Sequence, residues 1–215
     1  MIPPFEVYLF DIDGTLVDSA LDICGAIQEV LARQGRSDVS DEFLRRYIGR
    51  HLMETFRDVG CEAGTIDSLI AEYRQVYPAR RHACTHVYPG VFEMLAGLGG
   101  RKSTATTKGS PMARAMLEQF GLLGYFVHVQ GTDGFAAKPE PDVILRALDA
   151  LGASPSECLF VGDSASDMDA GRRAGVRTCA VRYGYGDAQE MTRFKPDYWI
   201  NHPSELLAPV VVAVG

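Results

Sequence analysis

The chain has 215 residues, of which 47% are hydrophobic and 23% charged, a balance that excludes a disordered or fibrous chain and allows a substantial buried core. Its 21 Lys and Arg against 28 Asp and Glu give a net charge of -7, the wrong sign for generic attraction to nucleic acid or an anionic membrane, so any phosphate binding has to be local. No apolar run approaches the roughly 20 residues that span a bilayer and the N-terminus lacks a secretory pattern, so a cytoplasmic protein that binds neither nucleic acid nor membrane is expected.

In chain order, Val7-Tyr8-Leu9-Phe10 reads as a buried strand. The stretch from there to Tyr88-Pro89-Gly90 has helical periodicity and no convincing strand: one helix runs from Ser19 with Ile23, Ile27, Val30 and Leu31 on one face, another starts near Ser40, and a third carries Ile66, Leu69, Ile70, Tyr73 and Val76. This predicts an inserted helical unit, residues 18–86, in a core formed by residues 1–17 and 87–215. Beyond it, Lys102 to Thr106 is a strand that is polar for a buried position, and Ser110 and Pro111 mark the N-cap and first position of a helix. Phe126 to Val129 is expected to be a strand, followed by a helix with the face Val143, Ala147, Leu148 and Leu151, closed by Gly152. Cys158 to Val161, Thr178 to Val181 and Asp197 to Ile200 complete the strands. Their alternation with helices predicts an α/β fold, a parallel sheet covered on both faces.

Four places carry chemistry, each at a predicted strand end. In Phe10-Asp11-Ile12-Asp13-Gly14-Thr15-Leu16, extended backbone aims Asp11 and Asp13 the same way while Gly14 permits a sharp exit. Two carboxylates there read either as ligands of a divalent metal ion such as Mg²⁺, or as acidic loop residues with a helix N-cap. Val161-Gly162-Asp163-Ser164-Ala165-Ser166-Asp167 brings Asp163 to the same sheet edge and Asp167 into the first turn of the next helix. Thr106-Thr107-Lys108 and Lys138-Pro139 add hydroxyls and ammonium groups, the complement that a transferring phosphoryl group requires. Only four lysines occur in the chain, and two of them fall here.

The order Asp-x-Asp-Gly-Thr, Thr, Lys-Pro, Gly-Asp-x-x-x-Asp resembles the haloacid dehalogenase superfamily of phosphohydrolases, over almost the whole chain. The insertion after Asp-Gly-Thr-Leu-Val-Asp-Ser is similar to that family's C1-type helical cap, and within the family the likeness is to the phosphoglycolate phosphatase-like group. The resemblance implies a Rossmann-like core in which Asp11 attacks phosphorus to form an aspartyl phosphate and Asp13 serves as general acid and base. It further implies Mg²⁺ held by the Asp11 side chain, the Asp13 backbone carbonyl and Asp163, with Thr106 and Lys138 on the phosphoryl group, Asp167 orienting Lys138 or a metal-bound water, and Gly14 and Thr107 in support. The family's Thr-Asn-Lys is Thr106-Thr107-Lys108 here; of Thr104, Thr106 and Thr107, Thr106 is taken as the phosphoryl contact. A helical insertion without lysine argues against the Schiff-base phosphonate hydrolases of the same superfamily, and Asp13 argues against the dehalogenases.

The expected substrate is a small phosphate monoester: phosphoglycolate-like, a sugar phosphate or a nucleotide. A phosphomutase of the β-phosphoglucomutase type uses the same aspartates and is the nearest enzyme alternative. A phospho-aspartyl signalling module is the alternative from another class, with the long insertion and Asp13 against it. Substrate choice is assigned to the insertion, where Arg50 in Ile48-Gly49-Arg50-His51 either pairs with a substrate anion or is a solvated helix-end arginine. A monomer or homodimer is expected.

Overall fold

In the computed structural model, which describes residues 2–207, the chain runs β1 (Val7–Phe10), β2 (Val17–Asp18), α1 (Ala20–Arg33), α2 (Asp41–Arg45), α3 (Leu52–Asp58), α4 (Ile66–Ala79) and β3 (His86–Val87). It continues with α5 (Val91–Gly97), β4 (Arg101–Thr104), α6 (Ser110–Gln119), α7 (Asp142–Leu151), β5 (Cys158–Gly162), α8 (Ala165–Ala174), β6 (Arg177–Val181), α9 (Ala188–Thr192) and β7 (Tyr198–Ile200). Five strands form one parallel sheet in the order β4-β1-β5-β6-β7. Parallel pairing sends every carboxyl end to the same edge, and the motifs of Asp11, Thr106 and Asp163 follow from that edge, while Lys138 reaches it from the loop before α7.

Burial of both faces follows from the period-2 alternation of the strands. Tyr8 and Phe10 of β1, with Leu159 and Val161 of β5, face a core shared with α1, α4, α5 and α6. Val7, Leu9, Cys158 and Phe160 face the opposite core with α7 and α8. The first core is continuous through Ile12, Leu16, Val17 and Ala20 with the apolar faces of α1 and α4, so the helices between β2 and β3 share one apolar cluster with the sheet. The two-residue strands β2 and β3 pair antiparallel, Val17 opposite Val87 and Asp18 opposite His86. The chain therefore leaves the sheet for the helices and returns through one short ribbon.

Three local expectations are corrected. Phe126 to Val129 is not a strand: Val127 is 68% exposed, and the segment meets the edge strand β4 only through single bonds, Val127 N–H to Lys102 O and Thr104 Oγ1 to Gln130 O. It covers a sheet edge without building a ladder, a recognised way of masking edge strands. That edge position also explains the polarity of β4, where the buried Lys102 ammonium folds back to donate to Leu98 O at 2.6 Å. The N-cap of α6 is Gly109, one residue before Ser110, whose hydroxyl is engaged by Asp133. The helical stretch also holds α3, absent from the sequence reading, capped by the ring of His51, whose Nδ1 accepts from Met53 N–H. Among the described residues no helix is long and apolar enough to cross a membrane.

Candidate active site

Asp11 follows β1, its N–H still bonded to Val161 O at 2.9 Å, and its carboxylate lies buried at the carboxyl edge of the sheet. The turn behind it depends on Gly14, whose φ of +86° suits glycine and whose Cβ, if present, would stand 2.1 Å from Asp163 Oδ2. Close approach of backbone to the Asp163 carboxylate is thus what glycine supplies here.

Lys138 joins the two aspartate motifs. Its Nζ, with no exposed side-chain surface, lies 2.9 Å from Asp11 Oδ1 and 2.5 Å from Asp167 Oδ1, and donates to Ala105 O at 3.1 Å. Burial opposes its charge, yet the two carboxylates hold the ammonium above its ordinary range. Asp167 is itself fixed at the start of α8: its Oδ2 accepts from Ser164 N–H at 2.9 Å and from the Ser164 hydroxyl. Asp163 accepts from Tyr185 N–H at 2.8 Å.

Asp13 faces different partners from Asp11. Its Oδ2 lies 3.2 Å from Lys108 Nζ and its Oδ1 accepts from Ser19 Oγ at 2.6 Å. Lys108 in turn sits over the ring of Tyr77 from α4, 4.5 Å from its centroid. Of the three threonines, Thr104 is spent on Gln130 O, Thr106 is buried at the end of β4 with its hydroxyl accepting from Lys108 N–H at 3.3 Å, and Thr107 lines a cavity beside Asp13.

That cavity, about 550 Å³, opens between the sheet edge and the helices of the insertion. Arg50 stands on its wall, its guanidinium over the ring of Tyr47 and 3.5 Å from Glu190 of α9. The Arg50 loop thereby touches the sheet side, as does Gly49 O, which accepts from Ser166 Oγ at 3.3 Å. His128 pairs with Gln130 Oε1, away from this site.

Sequence reasoning left three contributors without a role. Lys108 was seen within its motif but not matched to Asp13, and Ser19 was read only as a helix start. Tyr185 was missed: besides its bond to Asp163, its hydroxyl accepts from Ser19 N–H at 2.7 Å and Ala20 N–H at 3.0 Å and donates to Asp18 at 2.8 Å. The available signal was Tyr183-Gly184-Tyr185-Gly186, which follows β6 at the chemically loaded sheet edge. Gly184 is needed there, since a Cβ would lie 2.4 Å from that of Asp163.

Carboxylate oxygens of Asp11, Asp163 and Asp167 lie within 4.8 Å of one another. Burial pushes the Asp11 carboxyl up to about 6 against the pull of Lys138, and burial together with Asp167 and Asp11 holds Asp163 well above the ordinary carboxylate range. Asp11 Oδ1 is buried with the Lys138 ammonium as its partner. Two buried carboxyls forced toward neutrality, with a third carboxylate beside them, are a hard-oxygen donor set that suits a divalent cation. With an ammonium already in place, the arrangement can neutralise a phosphoryl group held at Asp11.

Residues 8–181 match the sequence profile of the family described as haloacid dehalogenase-like hydrolase. Among curated proteins, the chain is 33% identical to phosphoglycolate phosphatase 1 of Pseudomonas aeruginosa over 94% of its length and 78% of that protein's. It is 32% identical to phosphoglycolate phosphatase of Aquifex aeolicus, over 94% and 95% respectively. Among solved structures, a haloacid dehalogenase-like family hydrolase from Streptococcus pneumoniae superposes with a TM-score of 0.88 at 25% identity, over 94% of this chain and 96% of that one.

Proposed function

The chain belongs to the haloacid dehalogenase-like hydrolase family and is a phosphatase, and from that premise we propose that it hydrolyses a small phosphate monoester with Mg²⁺ through a phosphorylated Asp11. The observation that carries this reading is Asp11 itself: a buried carboxylate at a strand end, paired with an ammonium 2.9 Å away and with a second buried carboxylate, Asp163, beside it.

Asp11 attacks phosphorus, the bond to the ester oxygen breaks, and Asp13 protonates the departing alcohol. Water then attacks the phosphorus of the aspartyl phosphate, gives its proton to Asp13 and frees inorganic phosphate and Asp11. Lys138 and Thr106 balance charge on the phosphoryl oxygens while Asp167 holds Lys138 in line. Lys108 and Ser19 position Asp13. The side chains of Asp11 and Asp163 with the Asp13 carbonyl would hold Mg²⁺, which when bound supplies positive charge to the nucleophile and the phosphoryl oxygens. Residues 18–86 act as a cap on a core of 1–17 and 87–215, excluding water and meeting the leaving group, with Arg50 on the cap's contact loop.

Phosphate release from phosphoglycolate, sugar phosphates and nucleoside monophosphates, with Mg²⁺ or a chelator, tests this. Turnover that needs Mg²⁺ and falls about a thousandfold or more in Asp11→Asn is expected. Stable labelling of Asp11 by acetyl phosphate without turnover would overturn the reading, and an isomerised sugar phosphate would move it to a phosphomutase.

A further inference from the structure

The 550 Å³ cavity beside Asp13 has polar lining from Thr107, Thr132 and Asp133 and a larger apolar share. Ile23 and Ile27 of α1, Leu52 of α3, Ile70 and Tyr73 of α4 and Met112 of α6 all line it. Its cations are largely engaged: Lys108 by Asp13 at 3.2 Å and Arg50 by Glu190 at 3.5 Å. Arg74, exposed on α4, lines the same space. A two-carbon hydroxy acid would leave most of this volume to water against isoleucine side chains, which forgoes the apolar burial the wall offers. A cavity of this size that adds these apolar side chains to its polar groups has room for a ligand with a sizeable apolar body.

Resting on the phosphatase reading of the same site, we infer that the leaving group is a bulky alcohol with a ring-bearing, mainly apolar body, of the arylalkyl type, in place of a short hydroxy acid. The phosphoryl group lies at the Asp11 and Asp13 end, and the ring enters the cavity between α1, α4 and α6.

The test compares four esters of primary alcohols, so that leaving-group chemistry is similar and size varies: benzyl phosphate and 2-phenylethyl phosphate against ethyl phosphate and 2-phosphoglycolate, with acetyl phosphate as a further phosphoryl donor. The two ring-bearing esters should exceed both short ones in kcat/KM by about tenfold or more, a modest return for apolar contacts in a pocket. Met112→Trp, which fills the cavity from a half-buried position, should lower the ratio of benzyl to ethyl kcat/KM about tenfold, chiefly through KM. Should the variant not fold, the comparison on the unmodified chain decides. Phosphoglycolate matching or exceeding benzyl phosphate overturns this inference and leaves the phosphatase reading standing, with Arg74 the group to examine for a carboxylate. Equal losses for both esters in Met112→Trp also overturn it. Release of phosphate from none of the five compounds defeats the phosphatase reading itself.

Discussion

Lys138 has an ammonium without solvent contact between two carboxylates, so its removal leaves Asp11 and Asp167 buried and uncompensated. In Mg²⁺-free buffer Lys138→Met should lose about 3–5 kcal/mol of stability, read from the urea midpoint. This part of the site was legible in the sequence for Asp11 and Asp163, because each follows a short, continuous apolar run that forms a strand, and parallel pairing brings such ends together. Asp167 follows four residues after Asp163 in the first turn of α8, whereas the strand expected before Lys138 does not form and Lys138 reaches the site from the loop before α7. Lys108 and Ser19 were less legible: what makes them matter is their proximity to Asp13, set by the turn through Gly14 and by the seating of α1 and α4, neither of which a local pattern specifies. Tyr185 was hidden for the same reason, since its hydroxyl acts 166 residues away from its position, on Ser19.

At the scale of elements, α1 begins without a side-chain cap of its own, because the Ser19 hydroxyl is committed to Asp13. Tyr185 supplies an acceptor instead, taking the N–H of Ser19 and sharing that of Ala20 with Asp18 Oδ1 at 3.3 Å. Tyr185→Phe should cost about 1–3 kcal/mol in stability and speed amide exchange at those two residues, measured by hydrogen exchange. The long helices α1, α4 and α7 were readable because their apolar spacing repeats over several turns. The short α3 carries too few turns to set a period, and Phe126 to Val129 has strand composition but lies along an edge strand that it does not extend. Composition reports the burial a segment prefers, and pairing is decided by the neighbour it meets.

For the molecule as a whole, acid sensitivity falls in part on the far end of the sheet. Asp197, just before β7, accepts from Thr178 N–H at 2.9 Å and pairs with Arg177 at 2.5 Å, joining β7 to the start of β6. Burial works against its charge, yet these partners hold the carboxyl below its ordinary range, so its contribution is present above the unfolded value of about 3.9 and is lost as pH falls through the lower folded value. Asp197→Asn should therefore destabilise the chain by about 1 kcal/mol at pH 7 and make little difference near pH 2, with thermal melts at both pH values as the check. Elsewhere in the chain, the ribbon of β2 and β3 sets exit and return side by side. To the sheet, the long helical excursion is therefore equivalent to a hairpin turn. Lengthening the loops between those helices adds only a slowly growing loop-closure cost, so the excursion can grow while the shared apolar core and the strands that carry the aspartates keep their register.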